Sequence, residues 1–135
     1  MLSNQPKSAL SLLLVEDDKV TRDMLGVVIQ RKFPDLTIYF AENGRMGVEL
    51  FKKHLPEIII TDINMPVMDG IEMAGQIKSI NNEARFIVMT AYSSTGYFET
   101  FSKIGFCEYL SKPVELPKLF AAIEKCNAEI PAKRQ

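Results

Sequence analysis

The chain has 135 residues, of which 47% are hydrophobic and 24% are charged, and this is the length and balance of one globular domain. The composition excludes intrinsically disordered, collagen-like and coiled-coil proteins. The net charge of −1 lacks the basic excess of nucleic-acid-binding domains, so we expect no direct contact with DNA or RNA.

The N-terminal apolar run and the cysteines indicate in which cellular compartment the protein is expected. The run at 9–15 is too short for a membrane span and is followed by acidic residues rather than a cleavage site, so it is not a signal peptide. Cys107 and Cys126 lack Cys-x-x-Cys spacing and are expected to be reduced thiols. We therefore expect a cytoplasmic protein without membrane association.

Five short apolar runs recur along the chain and predict five strands. They lie at residues 10–15, 37–41, 57–61, 85–90 and 106–110. The first, third and fourth runs do not alternate with polar residues, which is typical of strands buried on both faces of a parallel sheet. The second and fifth are more mixed, as edge strands are.

Helical patterns fill the intervals between these runs. The first helix is predicted by a helical repeat of Val20, Met24, Val27/Val28 and Arg31. Its apolar face, Met24 included, is expected in the core, and Pro34 ends the element. Four more helices are predicted around residues 46–51, 71–77, 97–104 and 117–126. Gly105 suits the left-handed position that follows the fourth helix. Asp18 is expected to cap the first helix, and the single histidine, His54, to be solvated.

Strict alternation of strands and helices predicts an α/β fold. We expect one (βα)5 domain over residues 9–130, with tails at 1–8 and 131–135. Right-handed crossovers would form a doubly wound, five-stranded parallel sheet of flavodoxin-like order 2-1-3-4-5. In such sheets ligands bind at the carboxyl ends of the strands.

The residues at those strand ends are acidic, hydroxylic and basic. Glu16 and Asp17 follow the first strand, Asp62 the third, Thr90 the fourth and Lys112 the fifth. Crowded carboxylates repel one another and favour a bound cation, and Mg²⁺ is the cation that prefers carboxylate oxygens beside a phosphate. A carboxylate can attack phosphorus, and Asp62 is the candidate because it stands alone on the central strand.

Four motifs in this order resemble the receiver domains of bacterial two-component response regulators. They are Val15-Glu16-Asp17-Asp18 with Arg22, the loop from Asp62 to Gly70 with its Met65-Pro66 step, Thr90-Ala91, and Lys112-Pro113. The resemblance implies that Asp62 accepts a phosphoryl group from a histidine kinase or a histidine phosphotransfer protein.

The same resemblance assigns the other site residues. It implies Mg²⁺ ligands at Glu16, Asp17, Asp62 and the backbone carbonyl of Asn64. It implies phosphoryl contacts from Thr90, Ala91 and Lys112, a switch pair formed by Thr90 and Tyr109, and loop-shaping residues at Pro66, Gly70 and Pro113.

A receiver of this kind is a phosphorylation-controlled switch rather than an enzyme, although it assists its own phosphorylation and slow autodephosphorylation. The output surface is expected on the fourth helix, fifth strand and fifth helix, where an effector, an output domain or a second copy would bind. Its exposed candidates are Tyr97, Lys103, Glu108 and Lys118. Tyr109 is expected to move from exposed to buried on phosphorylation.

Two alternatives remain open from the sequence. The first is a Mg²⁺-dependent phosphatase of the haloacid-dehalogenase type, which also forms an aspartyl phosphate, although Asp62-x-Asn64 lies on the third strand and lacks the second Asp of that motif. The second is a degenerate receiver that serves only as a docking module, which the complete set of acidic, hydroxyl and lysine residues disfavours.

Overall fold

The computed structural model describes residues 10–91 and 95–130, with the side chains of 95–97 left out; the predicted tails lie outside this part. The strands are β1 Ser11–Val15, β2 Thr37–Ala41, β3 Ile58–Asp62, β4 Arg85–Thr90 and β5 Glu108–Ser111. The helices are α1 Lys19–Lys32, α2 Gly44–His54, α3 Gly70–Ile80, α4 Thr95–Ile104 and α5 Leu116–Glu129.

All strand pairs are parallel, and the sheet order is β2-β1-β3-β4-β5. This confirms the predicted α/β fold and the flavodoxin-like order. The predicted strand runs differ from the observed bounds by no more than a residue or two at either end. Among the described residues no helix has the length and apolarity to cross a bilayer.

The alternation of side chains along each strand divides the core into two layers. Leu12 and Leu14 of β1 pack on the side of α1 and α5, whereas Leu13 and Val15 pack on the side of α2, α3 and α4. The central strands β1 and β3 are therefore buried on both faces, which explains why their sequences do not alternate.

Two predictions about helix ends are confirmed. Asp18 caps α1, and its carboxylate accepts from the Thr21 N–H at 2.9 Å. Gly105 directly follows α4 with φ of +105°, the left-handed conformation that a residue with a Cβ rarely adopts.

The predicted core face of α1 is confirmed for Val28, which packs partly buried against the core, and is wrong for the other apolar members. Val20, Met24 and Val27 are 77%, 48% and 53% exposed, and the helix instead buries Leu25 and Ile29. Both stripes have helical spacing, so periodicity predicts the helix without deciding which stripe packs on the sheet. Apolar side chains of α1 therefore face solvent.

His54 is also not simply solvated as expected. It is half-buried at the end of α2, and its imidazole stacks on the Tyr39 ring of β2 with a centroid separation of 4.0 Å and an interplanar angle of 12°. The contact covers part of the outer edge of the sheet.

Candidate functional site

The parallel strands place their polar ends at one edge of the sheet. Asp62 and Thr90 are the last residues of β3 and β4, and the neighbouring strand β1 is followed directly by Glu16 and Asp17. Lys112 follows β5, where its N–H donates to the Thr90 carbonyl at 2.7 Å. The predicted side chains therefore come from four neighbouring strands.

Lys112 joins the carboxylates of β1 and β3. Its Nζ donates to Asp62 Oδ2 at 2.6 Å and to Glu16 Oε1 at 3.2 Å. Glu16 is 1% exposed and Asp62 is 8% exposed. The second oxygen of Asp62 accepts from the Ile63 N–H at 2.7 Å. The Asp62 carboxylate is thus held through both of its oxygens.

Burial and neighbouring charges shift the pKa values of this pair. Burial raises the pKa of Glu16, and the Asp62 charge adds to the rise, although the Asp18 N–H and Lys112 oppose it. Burial alone would lower the pKa of Lys112, but its contacts with Asp62 and Glu16 raise it overall. Desolvation, more than repulsion between carboxylates, therefore explains the reluctance of Glu16 to ionise.

The acidic cluster has the chemistry of a site for a hard cation. One carboxylate oxygen from each of Glu16, Asp17 and Asp62 lies within 4.8 Å of the other two. Asp17 is exposed, and Asn64 lies exposed two residues beyond Asp62. All these donors are oxygens, with an open approach from solvent, so the residues fit Mg²⁺.

Arg22 supports this site from the first helix. Its Nη1 donates to the Glu16 backbone carbonyl at 2.7 Å, one turn beyond the cap of α1. The guanidinium therefore fixes the turn that carries Glu16 and Asp17, which is a local reason for its place in the acidic motif.

The loop from Ile63 to Asp69 is held by two close backbone approaches. A Cβ at Gly70 would overlap the Asp62 carbonyl, and one at Gly44 would overlap the Met68 carbonyl. The Gly70 N–H also donates to the Ile63 carbonyl at 2.8 Å. Gly70 was predicted as a loop-shaping residue; the contribution of Gly44 was missed, because nothing in the sequence links it to this loop.

The same loop contains a backbone outlier that the sequence did not reveal. Val67 has φ of +71°, and the Met68 N–H donates back to the Pro66 carbonyl at 2.7 Å across it. This is the pattern of a strained three-residue turn. Pro66 is exposed at its start, and at the opposite side of the site the Lys112–Pro113 peptide is cis.

The predicted switch pair lies on the β4–β5 side of the site. Thr90 is 1% exposed, and Ala91 directly follows it at the surface. The Tyr109 hydroxyl oxygen is buried, and its ring packs with Phe98 and Phe106 at centroid distances of 5.2 and 5.4 Å. The expected exposed starting position of Tyr109 is therefore not the one seen.

The predicted output residues fall into three classes. Lys103 and Lys118 are exposed, as expected. Glu108 is only half-buried rather than exposed, and Lys125 of α5 pairs with it at 3.2 Å. The Tyr97 side chain and residues 92–94 of the loop after Thr90 lie outside the described part.

Comparisons with known proteins agree on one family. The family model described as "Response regulator receiver domain" matches residues 12–124. The chain is 32% identical to the chemotaxis protein CheY of Halobacterium salinarum, over 85% of this chain and 94% of that protein. The solved N-terminal domain of an uncharacterized Wolinella succinogenes protein has 37% identity and a TM-score of 0.83, with 89% of this chain and 95% of that chain covered.

Other relatives are longer than this chain. An uncharacterized transcriptional regulatory protein of Bacillus subtilis, YesN, is 30% identical over 92% of this chain, which spans 33% of that protein. The domain therefore matches both CheY, at nearly full length, and one part of a larger regulator.

Proposed function

The chain belongs to the response regulator receiver domains, and on this premise we propose that Asp62 accepts a phosphoryl group from the phosphohistidine of a histidine kinase or phosphotransfer protein. The observation that carries the proposal is the contact of Lys112 Nζ with Asp62 Oδ2 at 2.6 Å beside Glu16 and Asp17. It combines a nucleophile, a fixed cation and an oxygen-lined metal site.

The transfer is a displacement at phosphorus. A carboxylate oxygen of Asp62 forms the new P–O bond while the P–N bond to the donor imidazole breaks, and the imidazole leaves. Lys112 gives up part of its contact with Asp62 to a phosphoryl oxygen, and the Thr90 hydroxyl supplies a second contact. Mg²⁺ held by Glu16, Asp17, Asp62 and the Asn64 carbonyl would neutralise the phosphoryl charge.

This chemistry makes the domain a signalling switch rather than an enzyme that turns over an external substrate. The new dianionic group can shift the domain only by the difference in its contacts between two conformations. Hydrolysis of the acyl phosphate resets the switch. We propose cytoplasmic action in a two-component phosphorelay.

The exposed stripe of α1 supports the docking of the phosphodonor. Val20 lies two residues beyond the Asp18 cap, and Met24 and Val27 continue the same apolar stripe away from the acidic site. Asp62 is nearly buried, so a donor imidazole must extend beyond this stripe to reach the Asp62 carboxylate. An apolar helix of the donor protein would cover the stripe while its histidine reaches the carboxylate.

The output surface is proposed on α4, β5 and α5. A groove between β5 and α5 is lined by Glu108, Tyr109, Lys112, Glu115 and Lys118. It begins at the lysine that contacts Asp62, so a change in that contact alters the wall of the groove. A downstream effector, an output domain or a second copy would bind there.

Phosphorylation by acetyl phosphate tests the assignment. With Mg²⁺, the wild-type protein should gain the mass of one base-labile phosphoryl group, whereas Asp62→Asn should gain none. Asp35→Asn, an exposed aspartate in the turn before β2, is the matched control and should behave as wild type. Lys112→Met should slow uptake by about 100-fold, because one preorganised cation is lost from the transition state. Equal uptake by wild type and Asp62→Asn would remove Asp62 from this role.

A further inference from the structure

Three aromatic side chains form a compact cluster beside the site, which we call the aromatic triad: Phe98, Phe106 and Tyr109. They come from α4, the connection after it and β5. The ring centroids lie 5.5 Å apart for Phe98 and Phe106, 5.2 Å for Phe98 and Tyr109, and 5.4 Å for Phe106 and Tyr109. Both pairs made by Phe98 are edge-to-face, an orientation that aromatic rings prefer.

Within the triad, Tyr109 lies in an inward position. The Tyr109 hydroxyl oxygen is buried, and its ring packs against the core layer on the α2, α3 and α4 side of the sheet. In the same arrangement Lys112 Nζ contacts Asp62 Oδ2 directly. An inward tyrosine and a direct Lys112–Asp62 contact therefore occur together in this structure.

We propose that Phe98 and Phe106 are positioning residues that make the inward conformation of Tyr109 the ground state of this receiver before phosphorylation. The α4–β5–α5 surface is then partly set in advance, and phosphorylation changes it less than a freely exchanging tyrosine would allow. Loss of one ring of the triad should free Tyr109 and enlarge its response to phosphorylation. The part that concerns phosphorylation rests on the function proposed above; the resting conformation of Tyr109 does not.

Phe98 offers a clean variant because its ring is 47% exposed and contributes little to the buried core. Removing one edge-to-face partner should lower the inward population ratio of Tyr109 by roughly 2- to 12-fold. Phe98→Tyr keeps the ring edge and should restore the wild-type ratio. Phe98→Leu keeps apolar bulk without ring geometry and provides a second variant if Phe98→Ala folds poorly.

Phe120 provides a matched control on the opposite side of the sheet. It is a half-buried phenylalanine of α5 whose ring makes an edge-to-face contact with Phe33 at 6.0 Å. Phe120→Ala removes a comparable aromatic pair without touching the triad, so it should leave Tyr109 unchanged.

The experiment is ¹⁹F NMR of protein labelled with 3-fluorotyrosine, with the Tyr109 signal assigned by Tyr109→Phe. Exposure is read from the change in its shift between H₂O and D₂O, with and without Mg²⁺ and beryllofluoride, an aspartyl-phosphate mimic. The wild-type signal should be protected in both states. In Phe98→Ala its protection should fall without beryllofluoride, in line with the lower inward ratio, and should recover with it.

Two results would overturn the proposal: a wild-type Tyr109 that is exposed until beryllofluoride is added, or a Phe98→Ala protein whose Tyr109 is as protected as in wild type. If beryllofluoride produces no change at any residue near Asp62, the proposed phosphoacceptor function fails instead. The comparison of the untreated wild-type and Phe98→Ala proteins still decides the role of the triad.

Discussion

The two flanks of Asp62 use apolar side chains in opposite ways. On the β1–α1 flank, the exposed stripe of Val20, Met24 and Val27 starts next to the acidic pair and runs away from it along α1. On the β4–β5 flank, Phe98 and Tyr109 pack edge-to-face within the aromatic triad. Exposed apolar surface favours a partner that can cover it, whereas mutually packed rings favour one conformation of the domain. We infer that the β1–α1 flank contacts the phosphodonor. The β4–β5 flank holds the conformation that an output partner would bind.

The acidic site between the flanks gives the largest expected change in stability. If the acidic cluster holds Mg²⁺ as proposed, the ion binds only the folded state, and at about 100 times its dissociation constant it should add about 2.7 kcal/mol to the free energy of unfolding. Asp17→Asn should lose most of this gain because it removes the exposed carboxylate of the cluster. Thermal melts in EDTA and in Mg²⁺ measure the difference, with Asp35→Asn as the control. A full Mg²⁺ response in Asp17→Asn would exclude Asp17 as a ligand.

The raised pKa of Glu16 gives the same site a pH dependence in EDTA. Because burial raises this pKa above its ordinary value of 4.5, the folded protein holds the proton more tightly than the unfolded chain. The free energy of unfolding should therefore fall as the pH rises from about 4.5 through the raised pKa. Glu16→Gln should flatten that decline in urea titrations, whereas the exposed Glu124→Gln should not. A decline that is as steep in Glu16→Gln would assign it to other groups.

A charge on the exposed stripe of α1 tests the role of the β1–α1 flank in docking. Met24→Lys should slow phosphotransfer from a phosphohistidine protein by about tenfold, the cost of disrupting one central interface residue. Uptake from acetyl phosphate should not change, because that donor needs no docking surface. Ile80→Lys, at a similarly exposed apolar residue of α3, is the matched control. An equal loss with both donors would show that Met24 acts on the site itself and not on docking.

The fold and the principal site residues could be predicted because a parallel sheet brings the carboxyl ends of its strands together regardless of the sequence of the loops. Asp62 and Thr90 end neighbouring strands, and Lys112 contacts Asp62 as this topology requires. The side of α1 that packs inward could not be predicted, since two apolar stripes share its period. The inward Tyr109 depends on side-chain packing between α4 and β5, which the periodicity of neither element encodes.

Val67 lies in the loop after Asp62, between the two flanks, and gives the smallest expected effect. A β-branched residue at φ of +71° is strained, because its Cβ crowds the backbone there. The side chain is 70% exposed, so its replacement removes little packing. Asparagine tolerates positive φ, and Val67→Asn should therefore raise the free energy of unfolding by about 1 kcal/mol in urea titrations.

The matched control for this substitution is Val20→Asn, because Val20 is equally exposed but lies in the first turn of α1 with ordinary helical geometry. It should not stabilise the protein. If Val67→Asn is no more stable than wild type, the turn at Pro66–Met68 holds no strain, and the loop is fixed by Gly44 and Gly70 alone. If it is more stable but takes up phosphate more slowly, the strained backbone of Val67 positions the loop for the reaction at Asp62. The strain in the Val67 backbone would then contribute to the reaction at Asp62 and lower the stability of the fold.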